Sequence, residues 1–172
     1  MIVVRGGGTV VSWAGGVNST IAAMQLPVLN MTAGLGSEEF FTGSASVMEV
    51  LTDPAHPVMS GMPERADVNV GNPPSFTTLD GFEGTALAKF RSEGSPLRSG
   101  WLTAGAEKYL NGNAAALDVK HGGGHVVLIA FNPIWRGQPT GSFRIILNSM
   151  YYGKELAARA RGTAGFWSAP IK

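Results

Sequence analysis

The chain has 172 residues, with 13 Lys plus Arg against 12 Asp plus Glu, a formal net charge of +1 and no cysteine. Such a balance gives no indication of nucleic acid or an anionic membrane as a partner, and the missing cysteines exclude disulfides, thiol nucleophiles and cysteine-ligated metals. The 44% of hydrophobic residues suffice for the core of one domain, and no apolar run reaches the roughly 20 residues of a membrane span.

The first 30 residues predict a strand that runs through a glycine turn into a helix. Residues 9–14 are mostly apolar and β-favouring, which is typical of a buried strand. One of the polar residues at 18–20 can cap a helix over residues 21–24, and Pro27 ends it. Residues 1–8 resemble the end of a helix with its glycine cap, so we expect the chain to be a fragment.

The glycines on either side of this strand match no phosphate-binding motif. A dinucleotide fingerprint needs GxGxxG after a strand and a P-loop needs a lysine after its last glycine, and the chain has neither here. A nucleophile elbow needs Ser, Cys or Asp at the sharp turn, where Trp13 and Ala14 stand, and Ser12 lies one position early. We interpret these glycines as the boundaries of a structural strand.

The middle of the chain predicts short elements separated by turns. Residues 44–52 have β-like composition, and the Asp-Pro-Ala-His-Pro turn that follows can hold a short helical piece near Met59. Residues 61–80 are loop-rich. Residues 85–90 and 100–102 are further candidate strands.

The C-terminal half predicts a hairpin and then a helix. Residues 114–119 and 126–131 are apolar runs joined by a Lys-His-Gly-Gly-Gly turn, which indicates two paired strands. After the polar loop 132–141, apolar residues recur at helical spacing up to Gly153, and residues 154–172 form a frayed or partly helical tail. The residues at helical spacing are Phe143, Ile146, Leu147, Met150 and Tyr151.

The histidines and carboxylates suggest no reactive site by their spacing. His121 and His125 are four residues apart, but three intervening glycines disfavour a helix and no third metal ligand lies nearby. His56 stands in a turn without a partner in the adjacent sequence. The carboxylates are scattered along the chain, so a catalytic pair could form only through the fold.

The loop at 132–141 is the best candidate for a binding surface. It follows the C-terminal end of a buried strand, where open α/β sheets bind ligands. The loop carries the flat aromatic ring of Trp135, the hydrogen-bond-donating guanidinium of Arg136 and the side-chain amide of Gln138. A structural interpretation, in which the two polar residues bond to neighbouring loops and the tryptophan covers the sheet edge, is favoured over it.

Four segments carry a resemblance to a known family. GGGTVVSWAGG, DPAHPVMSGMP, SGWL and GGGHVVLIAFNPIWRGQPTGSFRIILNSMYYG together resemble the C-terminal region of bacterial zinc carboxypeptidase (carboxypeptidase A-like) family proteins. In those proteins a domain that resembles class I glutamine amidotransferases follows the peptidase domain. The resemblance covers roughly residues 3–153, and the last of the four segments is the most specific.

The resemblance implies an α/β fold, a flavodoxin-like three-layer sandwich. Its sheet would be mostly parallel, with a C-terminal antiparallel hairpin, and its N-terminal βα units would be missing. Residues 1–153 would then form a partial amidotransferase-like domain, followed by the tail at 154–172.

The resemblance also implies a non-catalytic accessory or binding domain of a hydrolase, a metallocarboxypeptidase active in proteolysis. The peptidase's HxxE pair and the amidotransferase's Cys and HxE are absent here, so no catalytic residue, metal ligand or cofactor is expected in this chain. Zinc would belong to an upstream peptidase domain. The expected partners are that domain or a second copy of the chain; the parent protein would be secreted or periplasmic.

The expected working surface is the loop 132–141 together with the turn 13–18. The ligand-binding candidates on it are Trp13, Asn18, Trp135, Arg136 and Gln138.

Two alternative functions stay open. One is a serine hydrolase that uses Ser12 or Ser99 with His56, His121 or His125. The other is an oligomerisation module, which would show a broad apolar patch.

Overall fold

A computed structural model describes Val4 and residues 6–170. The helix end predicted for residues 1–8 therefore lies largely outside the described residues. The strands are β1 (Thr9–Trp13), β2 (Val28–Asn30), β3 (Ser46–Thr52), β4 (Arg65–Val70), β5 (Phe76–Thr78), β6 (Gly84–Lys89), β7 (Leu97–Ser99), β8 (Ala114–His121) and β9 (Gly124–Ile129). The α-helices are α1 (Val17–Met24), α2 (Phe143–Tyr151) and α3 (Lys154–Arg159). Short 3₁₀ turns lie at Ala14–Gly16, Pro57–Met59, Ala106–Tyr109, Trp135–Gly137 and Thr140–Ser142.

The strands form one nine-stranded mixed sheet with the main order β1-β9-β8-β6-β3-β4. Strand β5 joins β2 to β8, and β7 pairs with β3. Within the part of the chain that the structure describes, β1 and β9 are the parallel pair and every other pairing is antiparallel.

The prediction of a mostly parallel, flavodoxin-like sandwich is wrong. The structure is mostly antiparallel, with 24% helix and 30% strand. Parallel neighbours need a crossover of a dozen or more residues, usually a helix. This chain instead joins many of its strands by turns, and the parallel pair found among the described residues unites β1 with β9.

Several local predictions differ from the structure in the middle of the chain. Residues 61–80 contain β4 and β5 rather than loop alone. The strand expected at 100–102 lies earlier, at Leu97–Ser99, and Leu102 forms only a single bridge with Thr42.

The core lies on both faces of β8 and β9, whose apolar side chains are almost completely buried. The two strands form the predicted hairpin, with Asp118 opposite Val127. Each large apolar side chain buried in this way contributes about 1.5–3 kcal/mol of transfer free energy. The burial of β8 and β9 therefore contributes strongly to the stability of the fold.

Helix α2 packs on the 3₁₀ turn at Pro57–Met59. The side-chain amide of Asn148 donates to the carbonyls of Val58 and Ser60 at 3.1 and 3.0 Å, and Ile145 and Ser149 are the buried residues of the helix. This contact brings the end of α2 over one face of the sheet.

Candidate functional site

A buried polar cluster lies where α2 ends against the sheet, and its centre is Asp118 of β8. The hydroxyl of Tyr152 donates to Asp118 Oδ2 at 2.6 Å, and His125 Nδ1 lies 2.9 Å from Asp118 Oδ1. His56 Nε2 lies 3.6 Å from the same carboxylate. We call these four residues the Asp118 cluster. Asp118, His56 and Tyr152 are each at most 3% exposed.

Strand register and a proline turn bring these side chains together. His125 stands opposite Lys120, two residues from Asp118, so both side chains lie on one face of the hairpin. The ring nitrogen Nδ1 of His56 accepts the backbone N–H of Val58 at 3.3 Å. The Nε2 of His56 consequently carries the proton that faces the Tyr152 oxygen, 3.2 Å away.

The hydrogen bonds of the cluster favour an ionised Asp118. Burial raises the pKa of this carboxyl, but the donor groups of His125, His56 and Tyr152 around it outweigh burial, and its pKa lies below the ordinary value. Burial and the neighbouring Asp118 charge raise the pKa of Tyr152 far above the usual range. The tyrosine is therefore a neutral donor to a carboxylate anion.

The Asp118–His125 pair has the form of an acid–base dyad, in which a carboxylate orients an imidazole. A catalytic dyad also needs a nucleophile or substrate proton at the other ring nitrogen. Thr9 stands opposite His125 on β1, but its hydroxyl donates to the carbonyl of Tyr152. Across the described residues, His125 Nε2 makes no hydrogen bond to any hydroxyl. The hydrogen bonds of the cluster join β8, β9 and the residue that follows α2.

The serines considered from the sequence lie apart from this dyad. The hydroxyl of Ser12 accepts a hydrogen bond from Thr20 at 2.9 Å, and Ser99 is exposed on β7. Neither serine hydrogen-bonds to a histidine in the described part of the chain.

The strand-to-helix turn after β1 has the backbone form of an elbow. Ala14 lies between β1 and α1 with a φ of 48°, in the left-handed region that disfavours side-chain-bearing residues. At this position an elbow enzyme places its nucleophile. The residue at this position carries only a methyl group.

A groove of about 350 Å³ lies between the end of β4 and the loop that follows β9. Its lining residues are Phe41, Thr42, Ser44, Gly71, Asn72, Asn132 and Trp135, and we call it the Trp135 groove. The backbone N–H of Asn132 donates to the carbonyl of Asn69 in β4 at 2.8 Å and holds the loop against the strand.

Reciprocal hydrogen bonds fix the opposite wall of the groove. The Thr42 N–H donates to Asn72 Oδ1 at 2.8 Å, and the Asn72 N–H donates to the Thr42 hydroxyl at 2.6 Å. Asn72 has a φ of 47°, a strained conformation that these two bonds stabilise. The wall is therefore preformed.

Three of the five predicted ligand-binding residues lie together on the loop after β9, and of these three Trp135 lines the groove. The guanidinium of Arg136 lies 5.2 Å above the Trp135 ring, and the exposed Gln138 donates its backbone N–H to the carbonyl of Trp135. Trp13 ends β1, and Asn18 accepts a hydrogen bond from Asn30 at 2.9 Å. Because β1 and β9 are parallel, their carboxyl ends lie at one edge of the sheet, but Trp13 and Asn18 do not line the Trp135 groove.

Reasoning from the sequence missed the Asp118 cluster and half of the groove. The sequence signal for the Asp118 cluster was the single aspartate, Asp118, within the apolar run AAALDV. A charged side chain in a buried strand needs hydrogen-bonding partners. Phe41 and Asn72 carried no such signal, because only long-range contacts place them beside Trp135.

The residues that the structure describes contain neither a metal-binding group nor a membrane-spanning helix. In that part of the chain, no group of three or more His, Asp or Glu is arranged to hold a metal ion. None of its helices has the length and apolar character needed to cross a membrane.

The comparisons with known proteins give no identification. No family model and no curated protein matches the chain.

Proposed function

We propose that the chain is a non-catalytic binding domain and that the Trp135 groove is its working surface. By the resemblance described above, it would be an accessory domain of a zinc carboxypeptidase-like protein, and its ligand a peptide. The observation that carries the proposal is the preformed, neutral groove at the edge where β9 ends.

The chemistry of the lining supports a peptide ligand. Trp135 and the 41% exposed Phe41 offer apolar surface, while Ser44 and Asn132 offer hydrogen-bonding groups. Small-molecule and peptide sites combine these two features, because apolar contact supplies affinity and a few polar groups fix orientation. Among the described residues, none that lines the groove is charged.

Arg136 adds a feature suited to the end of a peptide chain. Its guanidinium is exposed beside the groove, over the Trp135 ring. A guanidinium binds a carboxylate through two parallel hydrogen bonds. We therefore infer a preference for peptides with a free C-terminal carboxylate, the kind of substrate that a carboxypeptidase takes.

The proposal is tested by following the four tryptophan indole signals of the ¹⁵N-labelled chain during titration with hexapeptides. We expect the Trp135 signal to shift with apolar hexapeptides that have a free carboxylate, and to shift less with the amidated forms. Trp135→Ala should abolish the accompanying backbone shifts. Trp101→Ala is the matched control, because Trp101 is 63% exposed and does not line the groove. No shift at millimolar peptide would contradict the proposal.

A second candidate function, self-association, is favoured by an exposed apolar face on the two C-terminal helices. Leu147, Met150, Tyr151 and Leu156 are 56%, 75%, 82% and 39% exposed. Tyr151 and Leu156 line a surface cavity of about 460 Å³ between α2 and α3. Exposed apolar patches of this kind mark interaction sites.

Sedimentation of the full chain tests this second function. We expect a concentration-dependent dimer that Met150→Glu weakens about ten-fold or more, because a charge would have to be buried in the contact. Ser19→Glu, on the exposed side of α1, is the control and should leave sedimentation unchanged. A monomer at all concentrations would contradict self-association and leave the Trp135 groove unaffected.

A further inference from the structure

The last described residues, 160–170, lie against the sheet as an irregular segment with a hydrogen-bonded turn at residues 163–166, and we call them the tail segment. Its first anchor is Thr163, whose N–H and hydroxyl donate to the two carboxylate oxygens of Asp53 at 2.6 and 2.7 Å. Asp53 is only 2% exposed. A buried carboxylate therefore has two of its hydrogen bonds supplied by the tail segment.

The second anchor is an aromatic pair. The ammonium group of Lys89 donates to the carbonyl of Phe166 at 2.5 Å and lies 4.7 Å from the centre of its ring. The indole N–H of Trp167 donates to the carbonyl of Gly112 at 2.8 Å. Cation–π and indole contacts of this kind are common in peptide recognition.

Close packing also favours a residue without a side chain at position 162, between these anchors and α3. A Cβ atom on Gly162 would lie 2.9 Å from Asp53 Oδ2 and 3.3 Å from Thr85 Oγ1. The surface that receives the tail segment, which we call the tail groove, is formed by Asp53, Thr85, Lys89 and Gly112. It receives the sequence Gly-Thr-Ala-Gly-Phe-Trp at residues 162–167, in which Gly165 has a φ of 73°.

The tail segment has its own contacts with the sheet, in addition to those of the helix before it. Helix α3 has no buried residue and follows Gly153. Open spaces of about 340 and 370 Å³ remain on either side of Phe166, so the tail segment occupies the groove without filling it. These are the features of a ligand seated in a site.

We propose that the tail groove is a peptide-recognition site and that the tail segment of a second copy of this chain can replace the chain's own. The exchange of an identical segment requires no new complementary surface. The chain's own tail competes at an effective concentration of about millimolar, so the site is closed until that tail is released. This site is independent of the Trp135 groove.

The test uses a fluorescent peptide of residues 160–170 and the full-length chain, with binding measured by anisotropy. The variant T163V/F166A, which weakens the chain's own tail, should bind the peptide about ten-fold or more tighter than the unaltered chain, since it removes the internal competitor. F166A alone, which disturbs the fold less, should give a smaller change in the same direction.

Further controls distinguish specific recognition of the tail sequence from non-specific binding of the peptide. A peptide with the same two substitutions should bind neither chain, and adding D53N to the weakened-tail variant should abolish binding. W135A and M150E should leave peptide binding unchanged, since they lie in the other two surfaces. The proposal is overturned if folded F166A and T163V/F166A bind the peptide no better than the unaltered chain, or if both peptides bind equally.

Discussion

At the scale of single residues, Asp118 is the point on which separate parts of the chain converge. It lies in a strand that is otherwise apolar, and its carboxylate interacts with His56, His125 and Tyr152. An unpaired charge at this depth would cost several kcal/mol, so these partners are required by the burial of the charge. The cluster couples a turn, a hairpin and the end of α2.

Removing one donor from the cluster should measure that coupling. Tyr152→Phe deletes the hydroxyl that donates to Asp118, and we expect the free energy of unfolding to fall by about 1.5–3 kcal/mol, as for hydrogen bonds to charged groups. Urea denaturation followed by circular dichroism gives the value. Tyr151→Phe, on the adjacent residue that is 82% exposed, should change it by less than about 0.5 kcal/mol. Equal effects of the two variants would show that the hydroxyl has no role.

The ionisation of Asp118 should appear in the dependence of stability on pH. Because the folded pKa lies below the unfolded value of about 3.9, its contribution is fully present above that pH and is lost as pH falls through the folded pKa. Thermal unfolding between pH 2 and 7 should therefore show a smaller acid-induced loss for Asp118→Asn than for the unaltered chain. An identical slope would contradict the assignment.

Some acid sensitivity should remain in that variant because of a second carboxylate. Burial raises the pKa of Glu49 on β3, and hydrogen bonds from Arg98 and Arg65 outweigh it and lower the pKa. Glu49 stands opposite Asp67 on the neighbouring strand β4, away from the Asp118 cluster. Its stabilising contribution is lost in the same acid range.

At the scale of elements, tight backbone approach decides which residues the sheet accepts. Gly84 begins β6 opposite Val119, with a φ of 154°, and a Cβ atom there would lie 2.0 Å from the carbonyl of Asp118. Backbone atoms cannot yield as a flexible side chain can. The pairing of β6 with β8 therefore requires glycine at this position.

Gly84→Ala should destabilise the fold by more than about 3 kcal/mol, since the strand must separate locally to admit the methyl group. Gly15→Ala, with nothing within 4 Å of the added atom, is the matched control and should change stability by less than about 1 kcal/mol. Chemical denaturation of both variants makes the comparison. A Gly84→Ala chain as stable as the control would contradict the close β6–β8 contact.

Elements with a strong local pattern could be predicted from the sequence, and elements held by distant partners could not. The β8–β9 hairpin and α2 were predicted because continuous apolar runs, glycine turns and helical spacing are local signals. Strands β2 and β4 were missed because short, half-polar segments become strands only when a neighbour pairs with them.

At the scale of the whole molecule, the fold class depends on which strands pair and in which direction they run. The local sequence of each strand does not specify this. Buried apolar strands suggested a parallel sheet, but here the tail segment and α2 cover one face of a largely antiparallel sheet. The Trp135 side of the groove could be predicted from its loop, whereas Phe41 is placed there by long-range contacts, namely the bridge between Thr42 and Leu102 and the hydrogen bonds between Thr42 and Asn72.

The most direct test of the account is calorimetric titration of the full chain with an apolar hexapeptide that has a free carboxylate, followed by mass spectrometry of the recovered peptide. The account predicts saturable binding that Trp135→Ala weakens about ten-fold or more, corresponding to at least about 1.4 kcal/mol, with the peptide recovered intact. Binding that Trp135→Ala leaves unchanged, or cleavage of the peptide, would contradict a non-catalytic binding domain centred on the Trp135 groove.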